Sequence, residues 1–155
     1  MPNRILEKLQ THWLFRREPQ LSTPREIVGW WESRRPAYNL IVGIAGIITL
    51  SLIVVTGIIS EEEVGTQFGM PDPPVLAVIG IFLYAIAANF FYTGGWVVEI
   101  ALVRIWNNPG PDFGPLALAL GLAFSVLVTL VPGIGAAVLN LFQIFIAPIG
   151  GDPRS

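Results

Sequence analysis

The amino-acid sequence predicts an all-α membrane protein with three transmembrane helices. Its 155 residues are 53% hydrophobic and only 13% charged, with a mean hydropathy of +0.64, which is typical of a chain whose surface faces lipid. Three long apolar segments are separated by stretches rich in charge, proline or glycine. Cysteine is absent and the single histidine is His12, so thiol chemistry is excluded, and a zinc site or a histidine-ligated haem in the membrane is not expected.

Charge is distributed unevenly along the chain, and this asymmetry predicts its orientation. Residues 1–37 carry seven basic and four acidic side chains, whereas the loop 60–74 has four acidic side chains and no basic one. By the positive-inside rule, the N-terminus is expected in the cytoplasm and the acidic loop outside. The first apolar run is too long for the core of a cleavable signal peptide, so we expect an uncleaved anchor in the cell inner (plasma) membrane.

Residues 1–37 are predicted to form cytoplasmic interfacial helices. Within 3–17, the apolar side chains share one side of a helix, as in a segment that lies at the membrane surface. They are Ile5, Leu6, Leu9 and Trp13. A second helix is predicted to begin after Thr23, because Pro24 suits the first helical position and Glu26 completes a capping box with the threonine.

Two adjacent tryptophans, Trp30 and Trp31, precede Arg34 and Arg35. Aromatic side chains beside basic ones are typical of the lipid headgroup region, so we interpret them as an interfacial anchor. A specific site for an anionic lipid or a partner is the alternative. Pro36 either kinks this helix or begins a new one, because its ring removes a backbone hydrogen bond.

The first span is predicted over about 38–59. This run contains no charged residue and is long enough, at about 1.5 Å of rise per residue, to cross a hydrocarbon core of about 30 Å. Several small side chains in it permit close contact between helices. They are Gly43, Ala45, Gly46, Thr49 and Ser51.

The second span, predicted over about 75–103, carries polar side chains on one side. Five of them fall at positions i, i+3, i+4, i+7 and i+10, and therefore share one face of a helix. We call this set the polar face, and it consists of Asn89, Tyr92, Thr93, Trp96 and Glu99. Polar groups at membrane depth cost free energy against lipid, so this face is expected to lie against other protein or a cavity.

Glu99 is expected near the cytoplasmic boundary, because the roughly 24 residues before it rise about 36 Å as a helix. Arg34 and Arg35 precede the first span at the same boundary. We therefore predict that Glu99 pairs with Arg35 or Arg34, since charges at this depth need partners. The same meeting is expected to include Tyr38, Asn39, Tyr92 and Trp96. The alternative is that Glu99 emerges among headgroups and pairs with Arg104.

The last apolar run, 116–149, would extend about 51 Å as a straight helix, which exceeds one bilayer core. Because Pro132 interrupts it, one long kinked helix, a tight hairpin, and a span followed by an interfacial segment are all compatible with it. Small residues at every fourth position continue through the proline and favour one helix. This small-residue series is Ala117, Gly121, Ser125, Thr129, Gly133 and Ala137. We predict a span over about 116–147, kinked near Pro132, with Asn140 and Gln143 on its polar side and the C-terminus outside.

Two short patterns, WWESRRPAYN at 30–39 and NFFYTGGWVVE at 89–99, resemble a group of uncharacterised bacterial multi-pass membrane proteins. That group carries a WWE-x-RR-x-x-YN element before its first span and an N-x-x-YT-x-GW-x-x-E element in its second. The resemblance implies no particular activity. It implies that the two elements occur together, which is compatible with a meeting of Arg35, Asn39, Trp96 and Glu99.

The predicted function is that of a non-catalytic accessory or scaffold subunit, which packs against another membrane protein through the small-residue series or the polar face. No recognised nucleophile or phosphate-binding motif is present, so neither enzymatic activity nor a cofactor is expected. The alternative is a small homo-oligomeric transporter or channel component using Asn89, Thr93 and Glu99. The expected partners are the lipid bilayer and a membrane protein or further copies, not nucleic acid. The candidate interaction residues are Arg34, Arg35, Asn39, Asn89, Tyr92, Thr93, Trp96, Glu99, Gly121, Ser125, Thr129 and Gly133.

Overall fold

The computed structural model describes residues 8, 11–17, 23–64, 74–106, 110 and 112–146, with the backbone alone for 60–64 and 74–77. Over these residues the regular secondary structure is entirely helical, without a strand. Three helical segments are long and apolar enough to cross a membrane, which confirms the predicted class. The helices are α1 (Pro24–Glu32), α2 (Arg35–Val64), α3 (Pro74–Trp106) and α4 (Phe113–Ile146).

The chain divides into two compact units, each built from two separate segments. The first unit combines Met1–Val42 with Tyr84–Ser125, and the second combines Gly43–Leu83 with Val126–Ser155. The core of the first unit is mainly aromatic and aliphatic. Its buried members are Leu14, Ile27, Trp30, Trp31, Tyr38, Val42, Tyr92 and Leu118. Large apolar side chains are also exposed along α2, α3 and α4, as expected of helices that face lipid.

Helix α1 begins as the sequence predicts. The Thr23 hydroxyl accepts a hydrogen bond from the Glu26 backbone N–H at 3.4 Å, and the Glu26 carboxylate accepts one from the Thr23 backbone N–H at 3.0 Å. Pro24 occupies the first helical position, where its missing N–H costs nothing. After α1 the chain turns through Ser33, and α2 begins at Arg35. Pro36 thus lies in the first turn of a new helix, where proline is tolerated.

The predicted helix over 3–17 lies largely outside the described residues. In its last part the prediction is wrong, because residues 12–15 form a hydrogen-bonded turn in which the His12 carbonyl accepts from the Phe15 and Arg16 N–H groups. The turn also reverses the expected burial: Trp13 is 61% exposed, whereas Leu14 enters the core. The N-terminal segment is therefore packed into the first unit through Leu14.

Helix α4 is continuous from Phe113 to Ile146, with Pro132 in its interior. The hairpin that the sequence left open therefore does not occur. The kink at Pro132 stays a prediction. The predicted location of the C-terminus outside the cell also stays a prediction, because residues 147–155 are outside the described residues.

In the second unit, α2 packs against part of the small-residue series of α4. The Thr49 hydroxyl donates to the Thr129 carbonyl at 2.6 Å. A Cβ atom on Gly133 would lie only 2.8 Å from the Thr49 Cα and 3.0 Å from its carbonyl oxygen, so glycine permits this approach of two backbones. Further along, the fully buried Asn140 amide donates to the Thr56 hydroxyl at 3.1 Å. These contacts engage the Thr129 carbonyl and the Asn140 amide nitrogen in the interior of this unit.

Replacing Gly133 by alanine is expected to destabilise the protein by about 1–3 kcal/mol, because backbone rather than a flexible side chain opposes the added methyl group. Gly135→Ala is the matched control, since a Cβ there meets nothing within 4 Å and alanine is the better helix former. The measurement is thermal unfolding in detergent, followed by circular dichroism. Equal midpoints for the two variants would contradict the packing described here.

Candidate functional site

The carboxylate of Glu99 is the most deeply buried charged group among the described residues, with a side chain only 1% exposed. It forms an ion pair with Arg17, whose side chain is 5% exposed. Its Oε2 atom also accepts a hydrogen bond from the Trp31 indole Nε1–H at 2.7 Å. A buried charge is tolerated only when it is paired and hydrogen-bonded, and these two residues provide both.

The predicted pairing of Glu99 with Arg35 or Arg34 is wrong. The Arg35 guanidinium donates instead to the Glu32 carboxylate at 2.6 Å and to the Thr93 hydroxyl at 3.0 Å. Arg34 donates instead to backbone carbonyls and to a serine hydroxyl. The cation that neutralises Glu99 comes from Arg17, which the turn at 12–15 carries into the core of the first unit.

Gly114, in the first turn of α4, lets the Arg17 and Glu99 side chains approach the helix backbone. A Cβ atom at this position would lie 3.0 Å from the Glu99 Oε2 atom, and closer still to the Arg17 Nη1 atom. Any other residue would displace the ion pair. The carboxylate therefore lies beside the N-terminus of a helix, where the backbone dipole favours negative charge.

Gly95 makes room for the Trp31 indole in the same way that Gly114 makes room for the ion pair. A Cβ atom there would meet three ring carbons of Trp31 at 2.7, 2.8 and 3.3 Å, so the ring lies directly on the α3 backbone. The Tyr92 hydroxyl donates to the Trp31 carbonyl, and the two rings meet edge to face at 5.4 Å. Tyr38 packs on Tyr92 at 4.6 Å, which confirms the predicted meeting of these tyrosines.

Arg34 joins the N-terminal segment to α1. Its Nε atom donates to the Leu14 carbonyl at 2.8 Å and its Nη2 atom to the Arg16 carbonyl at 2.6 Å. The Trp30 indole N–H also donates to the Arg16 carbonyl, at 3.1 Å, and the Arg34 guanidinium lies 4.1 Å from the centroid of the Trp30 ring. These contacts hold the turn that delivers Arg17.

Arg35 lies over the other part of the polar face. Its Nη1 atom donates to the Asn89 Oδ1 atom at 3.4 Å and its Nη2 atom to the Thr93 hydroxyl at 3.0 Å, while the guanidinium stands 5.0 Å from the Tyr92 ring centroid. Asn89 in turn donates to the Ala85 carbonyl at 3.1 Å. The polar groups of Asn89, Tyr92, Thr93 and Glu99 are thus engaged within the first unit.

The remaining predicted residues do not share this site. Asn39 is exposed, and the Trp96 indole nitrogen is buried without a hydrogen-bond partner. Ser125 joins the first unit by a 2.8 Å hydrogen bond with the Tyr38 hydroxyl. Gly121 is exposed, and a Cβ there would meet nothing within 4 Å. Thr129 and Gly133 belong to the second unit.

Sequence reasoning missed four residues of the site: Arg17, Gly95, Gly114 and Trp31, whose indole is buried against Glu99 instead of forming the expected interfacial anchor. The signal for Arg17 was its position in a basic segment close to the first span, but Arg16, Arg34 and Arg35 share that property. Gly114 lies in a proline- and glycine-rich stretch that reads as a loop. Only the folded chain shows that its missing side chain makes room for an ion pair.

Over the described ranges, the fold and this site define an all-helical protein with three helices long and apolar enough to cross a membrane, in which the chain's own Arg17 neutralises the buried Glu99. Comparisons with protein-family models, with curated proteins and with solved structures found no match. Among the described residues, no group of three or more histidine, aspartate or glutamate side chains is arranged to hold a metal ion.

Removing one partner of the Arg17–Glu99 pair is expected to cost about 3–5 kcal/mol, because the other charge is left buried without compensation. In a double-mutant cycle with Arg17→Gln and Glu99→Gln, we therefore expect a large coupling free energy of unfolding. The matched cycle of Arg35→Gln with Glu99→Gln should give coupling near zero. Both coupling free energies are measured by denaturant unfolding in detergent. A larger coupling for Arg35 with Glu99 than for Arg17 with Glu99 would support the pairing first inferred from sequence.

Adjacent glycines in α3 provide a second test. Gly95→Ala is expected to lower stability by about 1–3 kcal/mol through overpacking, because Trp31 cannot move away without losing its hydrogen bond to Glu99. Gly94→Ala should be nearly neutral, since a Cβ there meets nothing within 4 Å. Tryptophan fluorescence should shift in the first variant alone. If the shift appears in both variants or in neither, the ring does not lie on Gly95.

Proposed function

We propose that this protein is a non-catalytic accessory or scaffold subunit that packs against another membrane protein. One observation carries the proposal: the polar and charged groups of α3 that look chemically useful are engaged by the chain's own residues. Glu99 is held by Arg17 and Trp31, and Arg35 holds Asn89 and Thr93. Groups bound in this way stabilise the subunit itself, and leave its outward faces for recognition.

Part of the small-residue series remains open for such a partner. Ser125, Thr129 and Gly133 receive residues of this chain, whereas Gly121 is exposed, with open space over its Cα. Leu120 and Phe124 beside it are exposed apolar side chains. A glycine between large apolar residues allows close approach of a second helix, so we place the partner contact on α4 around Gly121.

The proposed location is the inner (plasma) membrane, with the N-terminus in the cytoplasm. The excess of basic residues in 1–37 supports this orientation through the positive-inside rule. The same orientation assigns the site around Glu99 to the cytoplasmic side, where the N-terminal segment and α1 would act as an interfacial cap. The resemblance of the two short sequence elements to bacterial membrane proteins supports the choice of membrane.

A transporter or channel component has less support. That function needs side chains that can exchange an ion or a proton with water along a path. Asn89 and Thr93 are bonded to Arg35, and the Glu99 side chain is 1% exposed and paired. Transport would require all three residues to exchange their partners.

The proposal predicts a stoichiometric complex that depends on Gly121. The full chain, extracted from its own membranes in mild detergent, is expected to elute with one larger membrane protein in a fixed ratio. Gly121→Leu should abolish that ratio without changing the unfolding midpoint, because it fills the open space on α4. Gly43→Leu is the matched control, since Gly43 is exposed on α2 and a Cβ there also meets nothing within 4 Å.

Two outcomes would contradict this function. A chain that elutes alone or only as a symmetric homo-oligomer would contradict the accessory role. An ion flux in liposomes that contain the purified chain alone, and that Glu99→Gln abolishes while the protein remains folded, would favour transport. A complex that survives Gly121→Leu would move the contact away from this part of α4.

A further inference from the structure

The described arginines of the first unit are not equally neutralised. Arg17 is paired with Glu99, and Arg35 with Glu32. Arg34 has no carboxylate partner among the described residues. It makes four hydrogen bonds, to the carbonyls of Leu14, Trp30 and Arg16 and to the Ser33 hydroxyl. Those acceptors are neutral, so no negative charge within the described ranges compensates Arg34.

The guanidinium of Arg34 also has one N–H donor with no acceptor among the residues that the structure describes. It carries five N–H groups, and the four hydrogen bonds use one on Nε, two on Nη1 and one on Nη2. The second N–H of Nη2 makes no hydrogen bond to a described residue, and the bond that the same atom makes to the Arg16 carbonyl lies at the surface. An oxyanion approaching this edge would supply both the missing charge and the missing acceptor.

Arg16 adds a second basic residue, whose backbone lies beside Arg34 and Trp30. Its carbonyl accepts from both Arg34 and Trp30, which fixes its backbone next to them, while its side chain is exposed and makes no ion pair in the part of the chain that the structure describes. Nearby in sequence, the Trp13 indole is 61% exposed. Basic side chains close to tryptophan indoles, here the exposed Trp13 and the buried Trp30, are the combination found at the headgroup level of membranes.

We propose that Arg34 and Arg16 bind the phosphate of an anionic phospholipid beside the Trp30 ring. The shared chemistry is a phosphate oxyanion, and a lipid is its source rather than free phosphate because α1 and α2 together form an apolar segment able to cross a membrane. The lipid chains would lie along that segment. This inference is independent of the proposed function, since it requires no protein partner.

The test uses native mass spectrometry of the purified full chain in detergent, with added phosphatidylglycerol, phosphatidylcholine or inorganic phosphate. One phosphatidylglycerol adduct is expected, with weaker phosphatidylcholine binding and none of inorganic phosphate. Arg16→Gln should weaken the phosphatidylglycerol adduct about fivefold, because a basic residue near an anionic surface contributes about 1 kcal/mol. This variant keeps the backbone carbonyl that Arg34 uses, so it should fold normally.

Arg25→Gln is the matched control, because Arg25 is exposed at the other end of α1 and the change in net charge is identical. It should leave the phosphatidylglycerol adduct unchanged. Equal weakening by both variants would mean general attraction to positive charge, and no weakening by Arg16→Gln would remove this site. Equal binding of phosphatidylcholine, or binding of inorganic phosphate in place of the lipid, would overturn the assignment of an anionic lipid.

Discussion

The burial of one carboxylate constrains the whole first unit. Glu99 lies on a helix long and apolar enough to cross a membrane, and a carboxylate in that setting must obtain a cation and hydrogen-bond donors from nearby protein. Arg17 and Trp31 supply them. Each of the two must approach a helix backbone very closely, and this explains why glycine occupies positions 95 and 114. The turn at 12–15, held by the hydrogen bonds of Arg34, keeps Arg17 in place.

Much of this arrangement could be predicted from local sequence. Length and apolar composition identify the spans, the Thr23 and Glu26 pair marks the start of α1, and helical periodicity identifies the polar face. The predicted orientation of α3 toward protein follows from the free energy of leaving amide and carboxyl groups in lipid. Continuity of α4 through Pro132 was predictable from the spacing of small residues, because a reversal would have interrupted it.

The identity of the Glu99 partner could not be predicted in the same way. Six arginines precede the first span, and charge alone does not distinguish them. The choice depends on the turn at 12–15 and on the free space over Gly114, and both are properties of the folded chain. The small-residue series was similarly ambiguous: spacing showed that a helix can approach α4, but not that the chain's own α2 does so at Thr129 and Gly133 while Gly121 stays open.

The order in which the ribosome makes these residues bears on how the protein reaches its native state. Trp31 and Glu99 are 68 positions apart, and the arginine that completes the pair is made earlier still. Both partners therefore exist before the carboxylate is synthesised, and Gly114 emerges last. A nascent chain that has just released α3 already contains everything needed to neutralise Glu99, but lacks the helix start that encloses the pair. Arg17 and Trp31 can thus neutralise Glu99 while α3 inserts into the membrane. The later packing of α4 then encloses the ion pair.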